Sequence, residues 1–319
     1  MEAEAIARVL AALGFAWLFK STVVFFIWIW KTFLRPGREL KEHYGSWALI
    51  TGPTDGIGKA LAFSLGKKGL NLVLVGRNPE KLASVSHEIR ESDEKIEVKS
   101  VVVDFSRDKI DEGIKAIEEE IQDLDLGVVV NNVGVCYAMY MHEVGEEQLQ
   151  EFIRVNVEAA TRVTHMVLPH MMKRKKKKKK GAIVNIGSAA ALPFWGFPFV
   201  TVYCATKRFL DKFSTSLHME YKRHGIDIQC QTPLFVATKM TGMERSFFLV
   251  ASSAEYAESS IRWMGYEGSC NPFWGHAVQC WIASLLPQRL LDCFLLRFFH
   301  DQTEKALPRL ADESSASST

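Results

Sequence analysis

Short runs of β-branched and other apolar residues, separated by amphipathic stretches, fill the middle of this 319-residue chain. The runs are WALIT (47–51), LNLVLV (70–75), VKSVVVD (98–104), GVVVNN (127–132), GAIVNI (181–186) and IDIQCQ (226–231). Continuous apolar runs are typical of strands buried on both faces, and helices are the usual connections between neighbouring parallel strands. The sequence therefore predicts an α/β fold with a Rossmann-type, doubly wound parallel sheet.

The N-terminus carries a longer apolar segment. Residues 9–30 contain one charge, Lys20, and as a helix they would span about 33 Å, enough to cross a bilayer. Basic residues follow this segment, at Lys31, Arg35, Arg38 and Lys41. This order predicts an N-terminal membrane helix with the rest of the chain in the cytosol. A cleaved signal peptide and a buried helix of a soluble protein are the alternatives.

A glycine-rich segment, TGPTDGIG, follows the first predicted strand and leads directly into a helical pattern. Glycines let the backbone turn tightly and approach a pyrophosphate, while the first amides of the helix face the anion. The order strand, glycines, helix therefore predicts a dinucleotide site. The cofactor-binding residues predicted in this segment are Gly52, Thr54, Asp55, Gly56, Ile57 and Gly58.

The residue after the second predicted strand, Arg77, bears on the choice of cofactor. An acidic residue there would repel a 2′-phosphate, whereas an arginine can pair with it. We therefore predict NADPH rather than NADH, the alternative being a solvent-facing arginine in a turn. Asp104, at the end of the third run, is either an acceptor for the adenine amino group or a cap of the following turn.

Tyr203 and Lys207 lie four residues apart in a long amphipathic stretch, so they share one face of a predicted helix. The run GAIVNI brings Ser188 to the carboxyl edge of the sheet, where open parallel sheets bind their ligands. A Tyr–Lys pair alone is usually a surface contact. The indication of an active site comes from its combination with Ser188.

Together, TGPTDGIG, NNVG at 131–134, Asn156, Ser188 and Y-x-x-x-K resemble the short-chain dehydrogenase/reductase superfamily. Flanking segments such as GSWALITGPTDGIGKA and GLNLVLVGRNPEKL are similar to the membrane-bound very-long-chain 3-oxoacyl-CoA reductases of plants, relatives of animal 17β-hydroxysteroid dehydrogenases. The resemblance covers roughly residues 35–300. It implies NADPH-dependent reduction of long- and very-long-chain 3-oxoacyl-CoA to 3-hydroxyacyl-CoA in fatty-acid elongation.

The resemblance also implies roles for individual residues. The catalytic tetrad would be Asn156, Ser188, Tyr203 and Lys207. Tyr203 would protonate the ketone oxygen and Ser188 would hold it, while Lys207 stabilises the phenolate and Asn156 orders a water. Further cofactor contacts are implied for Asn132, Gly134, Tyr203, Lys207, Pro233, Val236 and Thr238.

Two features depart from the superfamily pattern. Val133 replaces the usual Ala, and the interval between Ser188 and Tyr203 is longer than in most members. The aromatic residues of that interval are Phe194, Trp195, Phe197 and Phe199. They either form the wall of the substrate pocket or pack as an ordinary loop.

Residues 236–300 are rich in Phe, Trp, Leu and Met, with two Leu/Phe-rich stretches at 277–286 and 290–299. Neither has 18 uninterrupted apolar residues, so we predict no second span. Two interpretations of these stretches are left open: helices that cover the substrate, and a second contact with the membrane. The predicted organisation is an anchor and basic flank (1–44), a catalytic NADP-binding Rossmann domain (45–235), pocket helices of the same domain (236–300) and a polar tail (301–319).

The octapeptide KRKKKKKK at 173–180 makes the formal net charge of +2 misleading, because the rest of the chain is net acidic. Such dense like charge predicts a solvated loop. Attraction to anionic headgroups or CoA phosphates is possible, as is a surface loop without a ligand. Nucleic-acid binding is disfavoured because no aromatic residues interrupt the run. The six cysteines and nine histidines show no metal-ligand spacing, so we expect a reduced, cytosol-facing protein without a metal.

The resemblance implies a location in the endoplasmic-reticulum membrane, with the catalytic domain facing the cytosol. The implied partners are a long-chain acyl-CoA substrate, the bilayer and other fatty-acid elongase subunits, and a homodimer is left open. A steroid ketone reductase of the 17β-hydroxysteroid dehydrogenase type would have the same tetrad and remains open. A non-catalytic scaffold subunit is the third hypothesis, and the intact tetrad argues against it.

Overall fold

The computed structural model describes residues 2–107, 109–174, 179–192 and 196–301, and the chain divides into two compact units, Met1–Gly37 and Arg38–Thr319. The N-terminal unit contains α1 (Glu2–Ile29) and a π-helical continuation (Trp30–Leu34). Its most apolar window has a mean hydropathy of 1.9. By length and composition it is the one helix among the described residues that could cross a membrane. The predicted N-terminal apolar helix is therefore confirmed.

The second unit is built on a seven-stranded sheet. Its first six strands are β1 (Trp47–Thr51), β2 (Asn71–Gly76), β3 (Val98–Val102), β4 (Leu126–Asn131), β5 (Gly181–Ile186) and β6 (Ile226–Gln231). Two short strands, β7 (Val236–Ala237) and β8 (Ala251–Ser252), form a separate pair, and β9 (Ser269–Cys270) completes the main sheet. The order is β3-β2-β1-β4-β5-β6-β9, with every pair parallel. The predicted doubly wound parallel sheet is confirmed.

Helices connect the strands of this sheet. They are α2 (Leu40–His43), α3 (Gly56–Lys67), α4 (Pro79–Ser92), α5 (Ile110–Ile121), α6 (Glu146–Ile153), α7 (Ala159–Arg174), α8 (Thr201–Tyr221), α9 (Ser253–Trp263), α10 (Trp274–Ser284) and α11 (288–301). Local sequence explains where several of them begin. Asn78 caps α4 by accepting a hydrogen bond from the Lys81 amide at 2.8 Å, and Pro79 occupies the first turn.

Successive residues of each strand enter two different cores, as a sheet covered on both faces requires. In β1, Ala48 and Ile50 pack with α3, α4 and α9. Leu49 packs instead with α5 and α7. Both cores are fully buried at the centre of the sheet, so the carboxyl edge is where polar residues become accessible.

The amino edge of the sheet corrects one expectation about the lysine run. We expected residues 173–180 to project as a solvated loop, but Arg174 is buried and pairs with Asp125 at 2.7 Å. It also donates to the carbonyls of Leu126 and Tyr44. Lys179 binds the other carboxylate oxygen of Asp125 at 2.8 Å. Residues 175–178 lie outside the described residues.

Candidate active site

The glycine-rich segment connects β1 to α3 through a turn with positive φ angles, which glycine adopts without strain. Gly52 and Gly56 have φ values of +66° and +53°. A Cβ added to Gly58 would lie 2.1 Å from the Gly52 carbonyl oxygen, so α3 can approach the turn only because residue 58 has no side chain. Asn132, just after β4, donates from Nδ2 to the carbonyls of Thr51 and Gly52 at 3.1 and 3.0 Å. The turn is thereby fixed to the neighbouring strand.

Other predicted residues of this segment have structural partners. The Asp55 carboxylate accepts a hydrogen bond from the Gly56 amide at 2.7 Å and forms an ion pair with Lys239 at 3.0 Å. Ile57 packs against two apolar clusters, and Thr54 is half-buried in the turn. Asp55 thus joins the start of α3 to the segment after β7. Contact of these three residues with a cofactor stays a prediction.

Arg77 and Asp104 follow the next two strands at the same edge. Arg77 is exposed, and it has no hydrogen bond or ion pair with another residue that the structure describes. Asp104 accepts hydrogen bonds from the amide and hydroxyl of Ser106, at 3.0 and 2.6 Å, and from Arg107 at 3.1 Å. Burial would raise the pKa of the Asp104 carboxyl, but these bonds outweigh it and hold the pKa below its ordinary value. Of the two roles considered for Asp104, the geometry favours the cap of the turn.

Tyr203, Ser188 and Lys207 meet where β5 ends and α8 begins. Ser188 accepts a hydrogen bond from the Ala190 amide at 3.1 Å, which leaves its hydroxyl proton free to be donated, and the hydroxyl lies close enough to the Tyr203 phenol to affect the pKa of that phenol. Lys207 is buried and donates from Nζ to the Ile186 carbonyl at 2.9 Å. Its Nζ lies 5.6 Å from the centre of the Tyr203 ring. The three side chains predicted from the sequence therefore come together.

Asn156 lies one layer behind them, in a π-helical segment (Arg154–Glu158) between α6 and α7. Its side chain binds both backbone groups of Val135, accepting at 2.8 Å and donating at 2.9 Å. A Cβ added to Gly134 would lie 3.3 Å from Asn156 Oδ1 and 3.4 Å from Lys207 Nζ. Gly134 thus separates the amide of Asn156 from the ammonium of Lys207, and a side chain at position 134 would fill that space.

Burial controls the protonation of the site. It raises the pKa of the Tyr203 phenol well above its ordinary value, and the nearby Ser188 hydroxyl offsets only part of the effect. Burial also lowers the pKa of Lys207 from 10.5 to about 8. Tyr203 is therefore protonated at neutral pH, and Lys207 is still largely charged. This is the starting state that a proton donor requires.

The backbone after β6 passes close to the glycine-rich turn. Pro233 accepts a hydrogen bond from the Ala189 amide at 2.8 Å, and Val236 lies in β7. A Cβ added to Gly56 would lie 2.9 Å from Thr238 Cγ2. The predicted nicotinamide segment therefore borders both the Ser188 loop and the pyrophosphate turn.

His276, which no sequence motif marks, holds this segment in place. His276 Nδ1 accepts from the Leu234 amide at 3.3 Å, and Nε2 donates to the Phe235 carbonyl at 2.9 Å. Burial lowers the pKa of His276 to about 4, so the ring is neutral near pH 7. A single histidine on an apolar helix carries no motif, so the sequence offered no signal for it.

A buried network of side-chain hydrogen bonds, which no sequence motif marks, positions α8. Asn131 Nδ2 donates to Thr164 at 3.0 Å and to Asn185 at 2.8 Å, and Asn185 donates to Ser214 at 2.8 Å. The network links α7, β4, β5 and α8. Because buried polar groups are costly unless paired, this network fixes the helix that carries Tyr203 relative to the sheet.

The outer side of Tyr203 is apolar. Its ring packs against a cluster that includes Phe197 and three residues of α11, Leu291, Leu295 and Phe299. Phe197 and Phe299 meet edge to face at 5.4 Å. These contacts support a pocket wall at this part of the interval before Tyr203. Phe199 packs on the same cluster with a φ of +65°, an uncommon conformation for an aromatic residue. Phe194 and Trp195 lie outside the described residues.

Comparison with known proteins identifies the family. A family model described as short chain dehydrogenase matches residues 46–247. A very-long-chain 3-oxoacyl-CoA reductase-like protein of Arabidopsis thaliana is 40% identical over 291 residues, covering 89% of this chain and 91% of the relative. An inactive hydroxysteroid dehydrogenase-like protein 1 of Homo sapiens is 38% identical over 258 residues, covering 79% and 76%. Both match most of this chain.

Solved structures agree with this family. A short-chain dehydrogenase from Sphingobium yanoikuyae in complex with NADPH has a TM-score of 0.63 at 26% identity, covering 75% of this chain and 91% of that structure. An L-sorbose reductase from Gluconobacter frateurii complexed with NADPH and L-sorbose has a TM-score of 0.62 at 25% identity, covering 72% and 94%. The predicted family is thus confirmed, and the chain belongs to the short-chain dehydrogenase family of oxidoreductases.

Proposed function

We propose that this protein uses NADPH to reduce long- and very-long-chain 3-oxoacyl-CoA to 3-hydroxyacyl-CoA. One observation carries the proposal: the protonated Tyr203, beside Ser188 and close to Lys207, is enclosed on its outer side by an apolar wall. A keto group next to a long apolar chain suits this combination. The relatives named as 3-oxoacyl-CoA reductases support the same choice of substrate.

The carboxyl edge fits the cofactor. The positive φ values of Gly52 and Gly56 form a tight turn at the start of α3, and Gly58 lets α3 approach that turn, which supports a pyrophosphate at the first amides of the helix. The exposed Arg77 supports a 2′-phosphate, and Gly134 leaves room beside Lys207. NADPH bound there would supply a hydride. Lys207 has three N–H donors and gives one to Ile186, so others are available for the nicotinamide ribose.

The residues of this chain then handle the proton. Hydride addition makes the ketone oxygen negative, and the Tyr203 hydroxyl gives it a proton while Ser188 hydrogen-bonds the same oxygen. The resulting Tyr203 phenolate is stabilised by the Lys207 ammonium at short range in a buried site. Asn156 and Gly134 line the route behind Lys207 through which a water would return the proton.

The lysine run lies at the edge of the sheet opposite Ser188. The run precedes β5, whereas Ser188 follows it, so the length of a six-residue strand separates the two. At about 3.3 Å per residue this is roughly 20 Å. Charges of the run are therefore screened from the reacting ketone at physiological ionic strength, where the Debye length is about 8 Å. The phosphates of CoA lie at the far end of a long pantetheine arm, so attraction to CoA phosphates and attraction to anionic headgroups both stay open for this run.

Location and partners form part of the same proposal. One N-terminal helix is long and apolar enough to cross a membrane. The relatives' names support an elongase role, from which we infer a place in the endoplasmic-reticulum membrane, a cytosolic catalytic domain and association with other elongase subunits, as a monomer or a homodimer. The division at residues 44, 235 and 300 is proposed on the same grounds.

Two alternatives rest on the names of relatives. Steroid ketone reduction would use the same polar residues, and hydroxysteroid dehydrogenase-like proteins are 38% identical to this chain. One of them is named inactive, so membership of the family does not by itself establish turnover. Against inactivity stands the presence of all four residues, Tyr203, Lys207, Ser188 and Asn156, at the same edge of the sheet.

The test uses the full chain in membranes or nanodiscs, with NADPH and either a series of 3-oxoacyl-CoA of increasing length or a steroid ketone. Products are identified by mass spectrometry. We expect 3-hydroxyacyl-CoA, with kcat/KM rising with chain length. Tyr203→Phe should lose at least about a hundredfold in kcat, because proton transfer contributes 10²–10⁴. Tyr221→Phe, at the far end of the same helix, is the matched control. Turnover of the steroid alone, or full activity in Tyr203→Phe, would overturn the proposal.

A further inference from the structure

The two C-terminal helices of the catalytic unit present large apolar side chains to solvent. Trp281 is 62% exposed, Leu285 64%, Leu290 62% and Phe294 63%. We call the following set the apolar surface: Phe247, Leu249, Trp281, Ile282, Leu285, Leu286, Leu290, Phe294 and Leu296. Single exposed leucines are ordinary, but a contiguous group of this size on a monomer marks an interaction site.

Helix spacing groups the exposed side chains of each helix. Trp281 of α10 and Leu285, the residue that caps this helix, lie four residues apart, and Leu290 and Phe294 lie four apart on α11, so each pair shares a face. The loop before α9 extends the surface, because the Phe247 ring lies 6.0 Å from the ring of Trp274. Trp274 is two turns before Trp281 on the same face of α10.

The opposite face of α11 is already occupied. Leu291, Leu295 and Phe299 are buried in the cluster that also contacts Tyr203. The outer side of α11 combines the apolar Leu290, Phe294 and Leu296 with the exposed Arg289 and Arg297. This mixture of large apolar and basic side chains is typical of helices that lie at a membrane surface.

Two polar side chains close to the apolar surface are bonded to neighbouring residues of their own helix. Gln288 Nε2 donates to Asp292 at 2.9 Å, and the Ser284 hydroxyl donates to the Trp281 carbonyl at 2.7 Å. A protein interface would offer partners for such groups, typically about ten hydrogen bonds for an ordinary interface. A lipid environment offers few, so internal pairing is what it requires.

We propose that the apolar surface lies in the interfacial region of a phospholipid bilayer. This inference rests on the membrane location proposed above, in which the apolar helix that begins the chain tethers the unit that starts at Arg38 to a bilayer. Tethering makes even a weak second contact effective. Trp281 together with the exposed Arg289 and Arg297 is the composition that sits at headgroup level. The proposal does not depend on the substrate.

Spin labelling of the full chain in phosphatidylcholine vesicles tests the proposal. Cys293 is an exposed thiol on the outer side of α11 and takes a nitroxide label without a new mutation. Subtracting the signal of a labelled Cys293→Ser variant removes the contribution of the other five cysteines. A control label goes on Glu147→Cys in that background, at an exposed position of α6. For each label we measure how strongly oxygen, which partitions into lipid, and a water-soluble nickel chelate increase the relaxation rate of the nitroxide.

We expect the label at position 293 to be relaxed more by oxygen than by the nickel chelate, and the label at position 147 to show the reverse. Equal access of the nickel chelate to both positions would overturn the proposal, because the surface would then face water. Protection of position 293 from both reagents would overturn it as well, since a second copy or another protein would cover the surface. Unchanged thermal unfolding of the labelled protein establishes that the label leaves the fold intact.

Discussion

Replacing Arg77 with alanine should change the cofactor preference of the enzyme without changing its chemistry. The Arg77 side chain follows β2 at the carboxyl edge and is exposed. A charge-assisted hydrogen bond contributes about 1.5–3 kcal/mol, and exposure to solvent places this contact at the lower end of that range. A loss of about 1.4 kcal/mol corresponds to about tenfold in kcat/KM for NADPH.

The assay compares kcat/KM for NADPH and NADH with one ketone substrate. Arg77→Ala should lose activity with NADPH and change little with NADH, and Arg77→Asp should reverse the preference, because the acid repels the 2′-phosphate. The NADPH effect should shrink as salt rises. Lys67→Ala removes one exposed charge at the far end of α3 and serves as the matched control. An unchanged ratio of NADPH to NADH in both Arg77 variants would refute the reasoning.

Two further predictions follow from buried cations. Because burial lowers the pKa of Lys207 to about 8, kcat/KM should fall above that pH as the ammonium is lost. The free energy of unfolding should instead rise between about pH 8 and 10.5, because over this range the unfolded chain still binds the proton that the folded chain has lost. A flat rate profile well above pH 8 would contradict this assignment. Arg174→Met should reduce the free energy of unfolding by about 3 kcal/mol because Asp125 loses its buried partner, while the exposed Lys173→Met changes it little. Equal denaturant midpoints for the two variants would exclude a structural role for Arg174.

Features with a local signal were predictable from the sequence. The six long strands and α8 each carry their own apolar pattern. Ser188 follows the end of β5 by two residues, and Tyr203 and Lys207 lie in the first two turns of α8. The glycine-rich turn is recognisable in the sequence because no other residue type fits its backbone.

Features that depend on distant partners were not predictable. β9 has two residues and exists only through its pairing with Cys230 and Gln231 of β6. Arg174 looks like one more cation of a basic run, and only Asp125, 49 residues earlier, explains its burial. The role of His276 likewise depends on the backbone of Leu234 and Phe235, which approaches it only in the folded chain.

Asp125 holds the chain on both sides of residues 175–178. Arg174 binds one oxygen of its carboxylate and Lys179 binds the other. These side-chain contacts keep Arg174 and Lys179 close to each other, and they do not depend on the peptide bonds between the two residues. Proteolytic nicking between those two residues should leave the fragments associated. For the same reason, an inserted tag, or a lysine tract lengthened by replication slippage, would leave the strand that leads to Ser188 in place.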